Sequence, residues 1–211
     1  STHCISSAAS DVYKRQIDAS WRELRPQLAL TEVVIHDRDG QPALALPKVA
    51  ATLSWTTVLV GELRFENLTI IQPDLSVLRD ANGEVFVAGL PVSGDNNKSA
   101  GADWVLSQRE IVIRGGKIRW RDDKRGAPEL ALNDVNLVLR NQWRLHQMAL
   151  KATPPASFAM PLDVRASFYH PGFASRISDV SRWKGTLYAN LHNTDLALWK
   201  AYLDYPLELN K

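Results

Sequence analysis

The sequence predicts an all-β-dominated protein with few short helices, built as an elongated, curved antiparallel β-sheet that forms a β-groove. A strand-like pattern of eight residues recurs along the chain, short turns rich in Asp, Asn and Gly separate the copies, and few stretches show helical spacing of apolar residues. Hydrophobic residues make up 45% of the chain. Some copies of the pattern are therefore expected by chance, and the repeat suggests a sheet without proving it.

The repeated octad has apolar residues at positions one, three, six and eight and, in most copies, polar residues at positions four and five. Its copies begin at Leu28, Leu44, Leu63, Ile111, Leu130 and Trp143. In a regular strand, positions one and three would face one side of the sheet, and positions six and eight the other. An extra residue at position four or five, a β-bulge, would restore the phase and increase the local twist. Two short strands separated by a turn are the alternative.

If the octads are bulged strands, they predict an apolar concave face on a curved sheet. The candidate groove-lining residues are Leu28, Leu30, Leu63, Phe65, Leu130, Leu132, Trp143 and Leu145. With so few helices to cover it, this face would stay exposed, which implies a ligand, a partner or a lipid. Acyl chains suit such a groove because they need continuous apolar width and no directional hydrogen bonds. A closed sandwich or barrel with these residues in its core is the alternative.

The strands follow one another with short turns between them. They are predicted over 27–36, 43–55, 62–71, 74–79, 84–88, 110–114, 117–121, 129–140, 143–153, 162–169 and 183–191. Turns are predicted at 37–40, 80–83 and 126–128, where Asp, Asn and Gly favour the positive φ angles of hairpin turns. Sequential strands joined in this way form an antiparallel meander.

Helices are few and short in this prediction. They are expected over 56–60, 102–108 and 194–202, and the last of these shows apolar residues at helical spacing. The stretch 91–101 is rich in Gly, Ser and Asn and is predicted to be a flexible loop.

Residues 1–16 are predicted to be disordered and to lie outside the fold. The sequence from Asp11 to Gln16 resembles the in-frame translation of a transposon-based sequencing adapter, and the stretch before it has no periodicity. We expect residues 17–211 to form one section of a β-groove, and the chain to be a fragment of a longer protein.

The sequence contains no recognisable catalytic or cofactor-binding motif. It lacks a Gly-x-Ser-x-Gly sequence, a glycine-rich phosphate loop and a His-Glu-x-x-His pair, and its five histidines lie singly. With Cys4 as its single cysteine, the chain cannot form an internal disulfide. A net charge of +2 without a long basic run argues against nucleic acid as a partner. We therefore expect no enzymatic activity, no metal and no cofactor.

An ordered set of short sequences resembles the N-terminal periplasmic region of the YhdP family of AsmA-like proteins. The set includes Trp21-Arg22-x-Leu24-Arg25-Pro26, Leu53-Ser54-Trp55, Pro73-Asp74-Leu75-Ser76-Val77, Leu132-Asn133-Asp134-Val135 and Ala152-Thr153-Pro154-Pro155. The resemblance covers essentially residues 17–211.

This resemblance implies a periplasmic β-groove related to the chorein lipid-transfer proteins. It implies attachment to the inner membrane of a diderm bacterium through a transmembrane helix missing from this fragment, and conduction of phospholipid acyl chains toward the outer membrane. It supplies no catalytic residues. A non-enzymatic scaffold or assembly factor for outer-membrane biogenesis is the alternative. An unbroken apolar path along the sheet would favour the conduit, because a scaffold does not need one.

Overall fold

The structure is a computed structural model and consists mainly of β-strands. The described residues are 12–13, 16–22, 25–36, 40, 42–91, 100–158, 161–172 and 183–190. The strands are β1 Val12–Tyr13, β2 Gln16–Arg22, β3 Arg25–His36, β4 Pro42–Leu53, β5 Phe65–Ile71, β6 Asp74–Arg79, β7 Val85–Val87, β8 Leu90–Pro91, β9 Glu110–Asp122, β10 Ala127–Gln142, β11 Leu145–Thr153, β12 Leu162–Tyr169 and β13 Lys184–Asn190. The helical elements are α1 Thr56–Val60, α2 Ala100–Ser107 and a 3₁₀ turn at Ala156–Phe158.

The thirteen strands in the described part of the chain form a single sheet, which confirms the predicted fold class. Antiparallel pairing joins β2 to β3, β3 to β4 and β4 to β5, and it joins β9 through β13 in chain order. Within the described ranges, β2 and β13 lie at opposite edges and do not pair with each other. This part of the chain is therefore an open sheet and not a closed barrel.

Strand β9 departs from the antiparallel pattern. It runs parallel to β5 and β6, with Leu68 beside Ile111 and Leu75 beside Ile118. Parallel neighbours cannot be joined by a tight hairpin. Here the chain passes through β7, β8 and α2 between β6 and β9. Apolar spacing within a strand does not encode this direction, because the direction depends on which strand becomes the neighbour.

The turn between β6 and β7 has the chemistry predicted for its hairpin. Gly83 has a φ of 85°, which is in the left-handed region. The Glu84 N–H donates a hydrogen bond of 2.8 Å to the Asp80 carboxylate, and the Asp80 N–H donates one of 2.9 Å to the Glu84 carbonyl. The short Asp side chain and the glycine together close the turn.

Two of the three predicted helices fall within the described residues. Helix α1 has the predicted bounds and ends at Gly61, whose N–H donates to the Thr57 carbonyl. Helix α2 overlaps the second prediction. The helix predicted over 194–202, and residues 92–99 of the predicted loop, lie outside the described residues.

Four residues with left-handed backbone lie at one level of the sheet. Glu32, Gln72, Gly115 and Asp134 have φ angles of 53°, 51°, 61° and 47°. Their neighbours are in register: Thr31 pairs with Lys48, Lys48 with Ile71, Ile71 with Arg114, and Gly116 with Val135. We call these four residues the left-handed row. Three of them occupy the fifth octad position, where the sequence predicts a bulge.

In β9, the left-handed row brings the side-chain positions before and after it to the same face of the sheet. A Cβ atom on Gly116 would lie 3.1 Å from Cγ2 of Ile113. Positions 113 and 116 therefore point to the same face, although a regular strand would place them on opposite faces. Their partners in β10, Leu137 and Val135, follow the same phase. This geometry supports the bulged-strand interpretation over two strands split by a turn.

In β5, a shift in the register with β4 returns the apolar side chains to the same face of the sheet. Thr52 pairs with Asn67 and Leu53 pairs with Phe65, which leaves Glu66 as the extra residue. The bulge thus lies at the fourth position of this octad, again within the predicted pair.

Part of the N-terminal segment lies against the sheet. Val12–Tyr13 forms β1 and Gln16 begins β2, and both strands pair with β3. The expectation that residues 1–16 lie outside the fold is therefore wrong for these three residues. The unpaired N–H and C=O groups of an edge strand accept another strand with little regard to side chains. The adapter origin stays a prediction, and the remainder of the segment lies outside the described residues.

Candidate functional site

One face of the sheet carries two unbroken rows of apolar residues. Residues paired directly across neighbouring strands lie on the same face, so the register identifies each row. The first row is Leu30, Val49, Ile70, Ile113, Leu137, Leu150, Val164 and Ala189. The second row is Leu28, Ala51, Leu68, Ile111, Leu139, Met148, Ala166 and Leu187. We call these sixteen residues the apolar strip.

Most residues of the apolar strip are partly exposed to solvent, so the strip is not a closed core. Val49, Ala51, Ile111 and Ala166 are buried, whereas the other twelve residues retain contact with solvent. All thirteen described strands belong to the same sheet, so in this part of the chain no second sheet covers the strip. Exposed apolar surfaces of this extent commonly mark interaction sites.

The opposite face of the sheet is the more polar one, although its central row is largely aliphatic. Its central row is Ala50, Thr69, Val112, Val138, Ala149, Arg165 and Tyr188, flanked by charged side chains. On this face Arg140 Nε donates to Glu110 Oε2 at 2.8 Å, and Asn67 Nδ2 donates to Glu110 Oε1 at 2.7 Å. The hydrogen bond from Arg140 lowers the pKa of the Glu110 carboxyl. The sheet is therefore amphipathic, with one apolar and one solvated face.

A buried polar cluster, made of Gln108, Asn141 and His146, bounds the second row of the apolar strip. Gln108 Oε1 accepts from the Phe65 N–H at 2.7 Å, and Gln108 Nε2 donates to the Trp104 carbonyl at 2.7 Å. Asn141 Nδ2 donates to the Gln108 carbonyl at 2.7 Å. Asn141 pairs with His146 directly after the second row in the register. These hydrogen bonds tie the start of β9 to β5 and to the β10–β11 hairpin.

The surroundings of His146 favour its neutral form. His146 is 2% exposed. Its ring stacks on the rings of His170 and Trp183, with distances between ring centres of 5.1 Å and 5.0 Å. Because the Asn141 amide donates elsewhere, its Oδ1 accepts from His146 Nδ1 at 2.7 Å, and the proton lies on Nδ1. Nε2 is buried without a partner among the described residues. Burial first, and the charge of His170 second, lower the pKa of His146.

Lowering the pH should therefore destabilise the fold through His146. The pKa of His146 is below its ordinary value of 6.5 in the folded state, so below about pH 6.5 the unfolded chain takes up a proton that the folded chain does not. This loss is at most about 1.4 kcal/mol per pH unit. Chemical denaturation between pH 7.5 and 5 would measure it. His146→Gln should show a smaller decrease, and an unchanged decrease would assign the effect to other groups.

Beyond the left-handed row, the apolar face closes into a small core. Leu130, 5% exposed, packs against Phe158 of the 3₁₀ turn, with Trp120 and Leu132 around them. This cluster is covered where the apolar strip is open. The candidate residues Leu130 and Leu132 thus lie on the apolar face but in a locally filled region.

The candidate residues from the first half of the chain lie in the strip or near it. Leu28 and Leu30 belong to it, and Phe65, which is 7% exposed, is paired with Leu53 immediately beside the second row. Leu63 precedes β5 and lies in an exposed connection.

The octad that begins at Trp143 is not a bulged strand, and this corrects its interpretation. Trp143 lies in the turn between β10 and β11 and is 82% exposed. Strand β11 keeps a continuous register with β12, so without a bulge Leu145 and Met148 fall on opposite faces. Leu145 pairs with Tyr169 on the face opposite to the apolar strip. Apolar spacing alone could not separate this hairpin from the bulged strands.

Several strip residues were missing from the candidate set although the octads contain them. The candidate residues occupy positions one and three of their octads. Positions six and eight contribute Val49, Ala51, Leu68, Ile70, Leu137, Met148 and Leu150 to the strip. In the bulged octads the same pattern carries this signal, because a bulge brings all four apolar positions to one face. In the octad at Trp143, which has no bulge, Met148 and Leu150 face the strip and Leu145 does not.

The fold and the strip together define a protein built on an open, amphipathic β-sheet with a partly exposed apolar strip. A comparison with protein families matches the family described as "YhdP protein" over residues 6–211. The chain belongs to the YhdP family, which confirms the resemblance found in the sequence. Comparisons with curated proteins and with solved structures gave no significant match.

Membership of this family indicates an envelope protein with a role related to lipid transport. Among the described residues, no helix has the length and apolar character needed to cross a membrane. Within the same ranges, no three His, Cys, Asp or Glu side chains are grouped so that they could hold a metal ion.

Proposed function

We propose that this chain is a non-enzymatic segment of an inner-membrane-anchored periplasmic protein that shields phospholipid acyl chains and conducts them toward the outer membrane. The observation that carries the proposal is the apolar strip, whose two rows contain no polar residue from β3 to β13. Family membership supports the same role.

The dimensions of the strip suit an acyl chain. Neighbouring strands are about 4.8 Å apart, so a strip across eight strands is about 34 Å long. One leaflet of a bilayer has a hydrocarbon thickness of about 15 Å, half of the whole core. An acyl chain that lies along the strip therefore meets apolar side chains over its full length and can shift by one strand without losing contact.

The mechanism needs no directional chemistry. Each methylene group that leaves water for the strip contributes about 0.8 kcal/mol, and this term is the same at every strand because the contact is not directional. The headgroup can stay in water beyond the polar cluster or at the opposite boundary of the strip. A polar residue within the strip would create a barrier, and none is present in the sixteen positions.

The unbroken strip favours a conduit over a scaffold or assembly factor. A scaffold could use the same sheet to hold a partner through a local patch, and it would tolerate polar residues between patches. Continuity across eight strands serves a ligand that moves along the sheet.

Site-specific photo-crosslinking should detect the proposed ligand. A photoreactive phenylalanine analogue at Leu139, in the strip, is expected to form phospholipid adducts in intact cells that express the full-length protein, detected by mass spectrometry. The analogue at the neighbouring Val138, on the opposite face, is the matched control. Equal labelling at both positions, or none at Leu139, would contradict the proposal.

A further inference from the structure

Exposed large hydrophobic residues are concentrated at one end of the strands. Ten such residues are exposed among the described residues, and eight of them lie at or beside this end. They are Trp55, Val58, Leu59, Val60, Leu63, Val105, Trp143 and Tyr169. We call this set the hydrophobic edge.

The register shows that the members of the hydrophobic edge lie at the same end of neighbouring strands. The end of β4 pairs with the start of β5, the start of β9 pairs with β10 near its end, and the β10–β11 turn lies beside the end of β12. One cleft is lined by Ser54 before α1, Ser107 of α2 and Trp143 of the β10–β11 turn. The β4–β5 connection, α2 and the β10–β11 turn therefore form one continuous border.

Helix α1 is the most exposed part of this edge. The fractional exposures of Val58, Leu59 and Val60 are 76%, 82% and 55%. Successive helical residues are about 100° apart, so these three side chains cover about 200° of the helix circumference. A helix docked on a protein typically buries a stripe of about 100°. Hydrocarbon surrounds an inserted helix and can accommodate all three side chains.

The connection that carries α1 is held firmly at its base. The Ser54 N–H donates to the Arg64 carbonyl at 2.9 Å, and the Thr57 hydroxyl both donates to that carbonyl and accepts from the Arg64 N–H at 3.0 Å. Trp104 Nε1 donates to the Leu63 carbonyl at 2.9 Å. The three aliphatic side chains are thus presented by a closed loop and lose little conformational freedom on insertion.

The aromatic residues along the hydrophobic edge are of the kind found at a bilayer interface. Trp55, Trp143 and Tyr169 are aromatic, and such rings favour the level of the lipid headgroups. The Arg144 guanidinium lies 5.8 Å from the centre of the Trp143 ring. Long basic side chains can keep their charge at the headgroups while their stems contact apolar groups.

We propose that the hydrophobic edge docks on the surface of a phospholipid bilayer, with Val58, Leu59 and Val60 inserted among the acyl chains and the aromatic residues at headgroup level. This contact goes beyond the proposed shielding of lipid, because the apolar strip needs no bilayer contact to bind an acyl chain. The edge also adjoins the strip, since the pair of Leu53 and Phe65 lies between α1 and the second row. Docking would place the strip where a bilayer lipid can reach it.

Vesicle flotation tests this contact. The purified chain is expected to float with vesicles of phosphatidylethanolamine and phosphatidylglycerol, and to remain bound at high salt, because insertion is apolar. The double variant Val58→Asp/Leu59→Asp should lower the bound fraction by about tenfold or more, since two carboxylates replace side chains that would enter hydrocarbon. Both positions are exposed, so the fold should be unaffected, as circular dichroism can verify.

Tyr188→Asp is the matched control, because Tyr188 is 60% exposed but lies on β13, away from the edge. It should bind as the unmodified chain does. Absence of flotation by the unmodified chain, or equal flotation of both variants, would overturn the proposal. Capture of a protein partner that depends on Leu59, without vesicle binding, would assign the edge to a protein interface instead. Crosslinking at Leu139 reports on the strip independently of these outcomes.

Discussion

Leu137→Asp should abolish lipid transport by the full-length protein, whereas Val138→Asp should leave it largely intact. Leu137 lies in the first row of the apolar strip, between Ile113 and Leu150. An acyl chain that passes this position would have to desolvate a carboxylate, which costs about 3 kcal/mol or more. A barrier of that size slows passage by about a hundredfold.

The neighbouring substitution controls for the effect of a new charge on folding. Leu137 and Val138 are adjacent in β10 and both are half-buried, but they face opposite sides of the sheet. Each variant would be scored for complementation of an outer-membrane lipid defect at matched protein levels, with circular dichroism to verify folding. Equal complementation by both variants would argue for a scaffold and against the conduit.

Gln108→Leu should lower the free energy of unfolding by about 1–3 kcal/mol. Gln108 is 0% exposed, and its side chain bonds the Phe65 N–H and the Trp104 carbonyl. Leucine fills a similar volume but leaves the buried Phe65 N–H without its partner, whereas the Trp104 carbonyl keeps the Ser107 hydroxyl as a donor at 2.6 Å. Each buried group that loses its hydrogen bond costs about 1–3 kcal/mol. Equilibrium denaturation in urea would measure the difference.

Gln147→Leu provides the comparison for this substitution. Gln147 is exposed on the polar face of β11, so the same change of side chain there should alter the unfolding free energy by less than about 0.5 kcal/mol. A similar small effect at Gln108 would show that its hydrogen bonds contribute little to the fold.

Much of the sheet could be predicted from local sequence. Alternating apolar residues predicted β3, β4 and β10 nearly to their bounds, and the Asp80 to Gly83 sequence predicted its hairpin. The bulge positions were also readable, because Glu32, Gly115 and Asp134 each follow two apolar positions of an octad. All of these features depend on residues within eight positions of one another.

The polar cluster could not be predicted in this way. Gln108 and Asn141 are 33 residues apart in the chain, and Gln108 is 43 residues from Phe65. Each of these polar residues alone is typical of a solvated position. Only the packing of α2 and β10 against the start of β9 buries them together, and burial is what makes their hydrogen bonds necessary.

By itself, the sequence determined the fold class, the family and the apolar octads, because strand periodicity and bulges are local properties of the backbone. The tertiary structure alone decided that β9 runs parallel to β5 and β6, which brings Ile70 beside Ile113 and joins the two halves of the strip. It also placed Leu145 on the polar face, since β11 continues without a bulge. The reason is physical: the face of a residue follows from its own strand, but the continuity of a surface follows from which strands become neighbours.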